Sequence, residues 1–403
     1  LASPATNSIF TKTNRVKKFV GIFLLFLTLI AKAQGDSCTV RISLLTCTPG
    51  SELYSTFGHS AFRVTDPSRE MDIIFNYGTF DFEDPQFYKK FTLGKLLYFV
   101  SVDPLDDFLY EYKFFKRGVT EQVLNLECRE KEDLVAALFE NAKEENKYYL
   151  YDFVYDNCTT RLRDMLENAT GGPLQAKDIR PSENTTFRHL IHDYLHKGNH
   201  YWSKFGIDIL LGSPLDKQVS NREAMFLPDY LMMAFDSATY KGRPLVTERN
   251  QLLPAGDITG DASVFTPLVI LGIMMIVIIA LSFFPDNAAQ VFLKAFDVFF
   301  FGILGMLGLF LLFMWFGTNH PMCRNNFNLL WALPTHLPMA VMLFSGKEWV
   351  RTYFSFVLFY SILLMAAWFL LPQQMNNALL PVVVIMAVRS YRISKTGNRW
   401  KKN

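Results

Sequence analysis

Apolar positions along this chain fall into two regimes. Up to about Leu253 they alternate with charges, as in an ordinary globular domain. Beyond Ser263 the charges nearly vanish and long apolar runs take over. Runs at 264–284, 298–316, 327–345 and 353–371 each approach the ~20 residues that cross a bilayer. A shorter fifth run, 378–388, is extended by Met375 and a snorkelling Arg389. Core helices of a large soluble protein would not give four such runs in succession.

In the first regime the pattern predicts strands, then helices. Residues 39–46 partly alternate and are rich in β-branched side chains, a strand broken by Pro49-Gly50-Ser51. Residues 60–65 and 71–77 read as a hairpin around the turn Asp66-Pro67-Ser68. Leu134, Ala137 and Leu138 line one face of a helix over 131–141, and the aromatic-rich 148–155 is strand-like. Leu162, Met165 and Leu166 then recur at helical spacing. That helix is capped by Asn157 and stopped by Gly171-Gly172-Pro173. Residues 174–181 read as loop, and 183–228 carry no clear period. The fold class is therefore α+β, a small antiparallel sheet with a helix packed on it, followed by an all-α transmembrane bundle.

The N-terminus reads as an export signal over 1–33. Arg15, Lys17 and Lys18 precede an apolar run at 19–30 and the small-x-small site Ala31-Lys32-Ala33. An uncleaved anchor is the alternative. An extracytoplasmic domain over 35–255, a membrane domain of about five helices over 264–393 and a basic cytoplasmic tail over 394–403 complete the layout. Lys347 and Arg351 in one interhelical loop, with Arg389, Arg392, Lys395, Arg399, Lys401 and Lys402 at the end, set the orientation. They place those ends in the cytoplasm and, with five spans, the first domain outside. A net charge of +2 excludes a general phosphate-seeking field, so no nucleic acid is expected. Five cysteines leave at least one thiol free, and no two sit at metal-ligand spacing.

Of the five, Cys158 is the one placed at a predicted helix N-terminus. Placed directly after its cap, it starts a helix whose dipole and N–H groups favour a thiolate and offer donors to an oxyanion. His59, in Phe57-Gly58-His59-Ser60-Ala61, is the candidate base, with Gly58 allowing close approach of a backbone or ligand. A buried structural cysteine and a structural histidine are the bland alternatives.

A histidine on an early strand followed by a cysteine after Asn at a later helix start resembles the circularly permuted papain-like class, which includes lecithin:retinol acyltransferase. More specifically, Leu44-Leu45-Thr46-Cys47-Thr48-Pro49-Gly50, Glu52-Leu53-Tyr54-Ser55, Gly58-His59-Ser60-Ala61 and Asn76-Tyr77-Gly78-Thr79-Phe80 resemble the Bacteroides-type lipoprotein N-acyltransferase (Lnb-type) family. So do Tyr151-Asp152-Phe153, Asp156-Asn157-Cys158-Thr159-Thr160-Arg161, Gly212-Ser213-Pro214 and Phe226-Leu227-Pro228-Asp229-Tyr230. The resemblance covers nearly the whole mature chain. It implies a bacterial inner-membrane enzyme with its catalytic domain in the periplasm and no cofactor. It also implies two partners, a membrane phospholipid acyl donor and a diacylglyceryl-cysteine lipoprotein acceptor, joined through a Cys158 thioester.

In the permuted class a polar residue on the next strand orients the histidine. Asn76 is the first choice, with Tyr77 and Asp72 as rivals. Tyr54, Tyr77, Asn157 and Arg161 are the candidate substrate contacts, although an ion pair is the plainer reading of Arg161. His336 lies within an apolar run between two prolines, where it satisfies a freed carbonyl or serves function. His192 and His196, beside Asp193, make either a site or a polar surface. Two other functions use the same features: a membrane-anchored cysteine hydrolase acting on peptidoglycan peptides or lipid esters, and a non-catalytic binding module. The last predicts Cys158 buried or disulfide-bonded, far from His59.

Overall fold

The computed structural model describes residues 38–256 and 263–395. The predicted signal segment and nearly all of the basic tail lie outside the described residues. Seven strands form one antiparallel sheet: β1 (Arg41–Cys47), β2 (His59–Asp66), β3 (Met71–Thr79), β4 (Leu97–Pro104), β5 (Val119–Leu124), β6 (Tyr148–Leu150) and β9 (Val246–Leu253). Their order is β6-β4-β3-β2-β1-β5-β9, with a two-stranded ribbon, β7 (Thr239–Tyr240) and β8 (Arg243–Pro244), at one side.

Both faces of the central strands are covered, so β1 reads as a nearly continuous buried run rather than a clean alternation. On one face Leu45, Cys47, Ala61 and Ile74 pack under α2 (Leu105–Phe114), which follows the short α1 (Phe87–Thr92). On the other, Ile42, Leu44, Phe62 and Phe75 meet α3 (Cys128–Ala142) and α4 (Cys158–Thr170). A disulfide joins Cys38, just before β1, to Cys128 at the start of α3, while Cys47, Cys158 and Cys323 are free. A structural disulfide suits an oxidising compartment.

The stretch 183–228, unread from its pattern, folds as α5 (Phe187–Lys197), α6 (Tyr201–Leu210) and the single turn α7 (Asn221–Ala224). The chain then enters α8 (Pro228–Ser237). Its organising group is polar. Buried Asp208 accepts from Arg188 Nη1 (2.8 Å), His192 Nε2 (2.7 Å), Lys204 Nζ (3.1 Å) and Asn376 Nδ2 (2.8 Å). His192 is thus part of a structural network, and Asn376 ties that network to the membrane part.

The second regime gives α9 (Pro267–Phe283), α10 (Asn287–Phe316), α11 (His336–Met342), α12 (Glu348–Ala367) and α13 (Leu380–Lys395). Among the described residues three helical stretches are long and apolar enough to cross a membrane: Asn287–Phe316, Glu348–Leu370 and Asn377–Lys395. Pro267–Phe283 and His336–Ser345 are shorter apolar helices. Large apolar side chains such as Ile276, Phe299, Phe310 and Phe359 stay exposed on their outer faces, as lipid contact requires.

Two readings are corrected here. Residues 327–345 are not one helix: a 3-10 turn at Phe327–Leu330 is followed by a break, and α11 starts only at His336. Pro334 lacks a donor, and the Asn326 and Asn328 side chains anchor the turn, donating from Nδ2 to the carbonyls of Ile209 (2.8 Å) and Asp208 (2.8 Å) at the end of α6. His336 keeps the structural role expected of it: its ring interacts with the Trp331 backbone in this break, and Nδ1 lies 2.7 Å from the Tyr353 hydroxyl. Arg389 does not snorkel. It is buried, donating from Nε and Nη2 to Asp297 (2.7 and 2.8 Å) and from Nη1 to Ser282 (2.8 Å), so one charge cluster binds α9, α10 and α13. A guanidinium in hydrocarbon needs such a partner.

Candidate active site

The turn before α4 is built to deliver one side chain. Asp152 Oδ1 accepts from the N–H groups of Val154 (2.9 Å) and Tyr155 (2.8 Å), which folds the chain back before the helix. Asn157 Oδ1 then accepts from the N–H groups of Thr159 and Thr160, both at 2.9 Å. Its Nδ2 donates to the carbonyls of Phe153 (2.7 Å) and Phe226 (2.9 Å). All four positions of the carboxamide are used, so Asn157 is a cap with nothing left for a substrate. Two of the first-turn N–H groups expected to face an oxyanion are therefore taken. Cys158's own N–H is the one the cap does not use.

His59 opens β2 and is paired across the sheet with Cys47. The preceding Gly58 has φ +78°, and a Cβ there would lie 2.7 Å from the Cys47 carbonyl oxygen, so the expected close approach is to backbone. The β2–β3 register pairs Phe62 with Phe75. Continued one step, it sets Asn76 two residues from His59 on the same face. His59 Nε2 lies 2.6 Å from Asn76 Oδ1. Of the rivals, Asp72 is engaged by Arg63 at 2.7 Å. Tyr77 points to the opposite face and donates to Met165 Sδ.

The two faces meet at Gly78, where the β3–β4 register shifts. His59 and Asn76 belong to the α2 side and Cys158 to the α4 side. With no side chain on Gly78 they come together: a Cβ there would lie 3.5 Å from Cys158 Cβ and 3.9 Å from both His59 Cε1 and Tyr151 Cε2. Burial opposes a Cys158 thiolate, but the His59 charge, a hydrogen bond from His59, the Ser60 N–H and the Thr159 hydroxyl outweigh it and bring the thiol down to about 7. Burial likewise opposes an imidazolium, yet the Cys158 charge and hydrogen bonds to Cys158 and Asn76 hold His59 above its ordinary value. The two shifts describe one ion pair. Cys47 is also buried, and there burial outweighs a Tyr112 hydrogen bond and the Arg117 charge and pushes the thiol up to about 12.

A tyrosine wall completes the site. Tyr149 is buried, and its hydroxyl makes no hydrogen bond of good geometry among the described residues. It interacts electrostatically with Cys158 and with the Gly78 N–H, and burial keeps its proton on. Arg161 stacks on this ring, 3.5 Å from its centroid, and is held by Asp156 at 2.6 and 2.9 Å. Among the proposed substrate contacts, Arg161 is therefore an ion-paired support. Tyr77 is buried against Met165, and Tyr54 stands exposed on the turn Leu53–Ser55 with no hydrogen bond to the site among the described residues. Tyr149 and Gly78 stand at this candidate site without having been singled out from the sequence. The aromatic density of 148–155 and the glycine after Asn76-Tyr77 were the available signals.

Two family models match the chain: the Lnb N-terminal periplasmic domain over residues 30–193 and the Lnb transmembrane domain over residues 259–399. The chain belongs to the Lnb family. Neither a curated protein nor a solved structure matches it. The Lnb periplasmic match contains His59, Asn76, Gly78, Tyr149 and Cys158, and the Lnb transmembrane match contains the apolar helices. This Lnb protein thus has its sheet domain in the periplasm and its helical domain in the inner membrane. Family membership indicates a membrane protein of the lipoprotein N-acyltransferase type, with lipoproteins and phospholipids as its partners in general terms.

Proposed function

We propose that this protein moves an acyl chain from a membrane phospholipid to the N-terminal amine of a diacylglyceryl-cysteine lipoprotein, with Cys158 as the covalent carrier. The observation that carries this reading is the free Cys158 thiol at a helix start against a histidine oriented by Asn76, inside a domain fastened to apolar helices.

The Cys158 thiolate attacks the carbonyl carbon of the phospholipid ester. The C–O bond breaks, the leaving alkoxide takes the proton from His59, and a lysophospholipid departs from a Cys158 thioester. The lipoprotein amine then attacks the thioester carbonyl. The C–S bond breaks, the amine proton passes to His59, and an amide is released as the thiolate–imidazolium pair returns. In each tetrahedral intermediate the oxyanion meets the Cys158 N–H and the Tyr149 hydroxyl, the donors left uncommitted around the sulfur.

The binding-module alternative predicts Cys158 buried or disulfide-bonded and far from His59; Cys158 is buried, but its thiol is free and it stands beside His59 across Gly78, which speaks against that reading. A hydrolase would use the same pair with water, but the surroundings of Cys158 are aromatic and the domain is tied to the membrane. The experiment is mass spectrometry of lipoprotein N-termini from cells in which Cys158→Ser replaces the protein. Loss of the amide-linked chain with the diacylglyceryl group retained supports transfer. Unchanged N-termini at normal protein abundance, with no second enzyme present, would overturn it.

A further inference from the structure

Between β3 and β4 the chain leaves the sheet for seventeen residues, 80–96, which include α1. Six rings run from this excursion in two directions. Tyr151, beside Cys158 across Gly78, stacks on Tyr98 with centroids 4.3 Å apart. Tyr98 meets Phe80 at 5.1 Å, Phe80 stacks on Phe87 at 5.8 Å, and Phe87 on Phe91 at 6.1 Å. Phe91 meets His320 at 6.5 Å. His320 lies just past the end of α10, and its Nε2 donates to the Phe91 carbonyl at 3.0 Å. The Asn319 N–H also donates to the Leu93 carbonyl, at 2.9 Å.

One end of this track is therefore the sulfur, and the other is fixed to the periplasmic end of a membrane-crossing helix. The rings flanking the lower end are bare: Phe82 is 67% exposed, Tyr88 82% and Phe91 51%. Such a cluster of exposed rings is costly in water and is at home at the headgroup level of a bilayer. Lys89 and Lys95, both exposed, stand on the same excursion, where a lipid phosphate would meet them.

We propose that residues 80–98 form a lipid-access ramp: the excursion rests in the periplasmic leaflet, and its rings guide one acyl chain of a membrane phospholipid from the bilayer to Cys158. This rests on the acyl-transfer reading above and names the route of its donor. A chain sliding along edge-to-face and stacked rings keeps apolar contact at every step. The scissile ester stops where the aromatic track gives way to His59, Asn76 and the Tyr149 hydroxyl.

The test uses the full chain in vesicles of phosphatidylethanolamine and phosphatidylglycerol, with acylation of Cys158 followed by intact mass. The variant is the triple substitution Phe82→Ser, Tyr88→Ser and Phe91→Ser, at exposed positions the fold does not bury. Acylation by p-nitrophenyl acetate, a short water-soluble ester, is measured in parallel. The ramp predicts that acylation from vesicle lipid slows by about tenfold or more, since each ring removed forfeits apolar contact with the chain, while the short ester reacts within about twofold of the native protein. Equal slowing with both donors, or no slowing with vesicle lipid, overturns the ramp alone. If the native protein takes no acyl chain from vesicles but reacts with the short ester, the transfer reading falls and the ramp falls with it.

Discussion

Asn76 Oδ1 lies 2.6 Å from His59 Nε2, and because a carboxamide oxygen can only accept, that nitrogen must carry a proton. Nδ1 is then the nitrogen left to take the proton of Cys158. One hydrogen bond on the α2 face of the sheet thus sets the tautomer of an imidazole that faces a thiol from the α4 face.

Asn76→Ala frees the ring to rotate and to adopt the wrong tautomer. The expected outcome is a fall of about 10²-fold in kcat, within the range general-base catalysis supplies. The amount of folded protein should hold. Asn76→Asp, which still accepts from Nε2, should recover part of the loss. Equal activity in all three proteins would remove Asn76 from the site.

The thiolate–imidazolium pair predicts a pH profile. Alkylation of Cys158 by iodoacetamide should be constant at high pH and fall as pH drops through about 7, where the thiolate is protonated. In His59→Gln the stabilising cation is gone, so the fall should move upward by more than one pH unit. Cys47, pushed up to about 12, is the internal control and should stay unlabelled at neutral pH.

Tyr149→Phe separates catalysis from folding. The hydroxyl is buried without a well-made hydrogen bond among the described residues, so its removal should leave thermal stability equal or slightly raised. If it donates to the oxyanion, kcat should drop by about 10²-fold while the alkylation profile of Cys158 stays in place. A purely structural Tyr149 would show unchanged kcat.

Gly78 is constrained twice. Its φ of +91° disfavours any other residue, so Gly78→Ala should cost about 1–3 kcal/mol in stability by thermal or denaturant unfolding. Space for a single methyl exists, at 3.5 Å from Cys158 Cβ. Gly78→Leu fills the gap between sulfur and imidazole and should abolish activity and Cys158 labelling together.

Much of this was legible in the sequence because it rests on local rules. β1 announced itself through β-branched residues bounded by a Pro-Gly-Ser breaker, β2 and β3 through a hairpin turn, and α4 through a cap followed by periodic apolar positions. Asn76 was the first choice, over Tyr77 and Asp72, for the polar residue that the resemblance implies on the next strand. What stayed hidden depends on contacts distant in sequence. The 183–228 stretch is organised by Asp208, whose partners range from Arg188 to Asn376, and polar networks leave no period. The turn that starts 327–345 is held by the Asn326 and Asn328 side chains on α6 carbonyls that only the fold brings near. Arg389 looked like an interfacial anchor because its partner, Asp297, lies 92 residues away in the sequence. Tyr149 was invisible for the same reason: nothing in its neighbours along the chain says that its hydroxyl ends buried near Cys158 and the Gly78 N–H.

The central claim is that Cys158 carries an acyl chain from lipid to amine. The most direct test adds a synthetic diacylglyceryl-cysteine peptide to the full-length protein in phospholipid vesicles and follows both by mass spectrometry. The account predicts an acyl adduct on Cys158 before the peptide is added, its disappearance on addition, and a matching amount of N-acylated peptide, with none of these in Cys158→Ser. Release of the chain as free fatty acid while the peptide amine stays unmodified, or N-acylation that persists in Cys158→Ser, would contradict it.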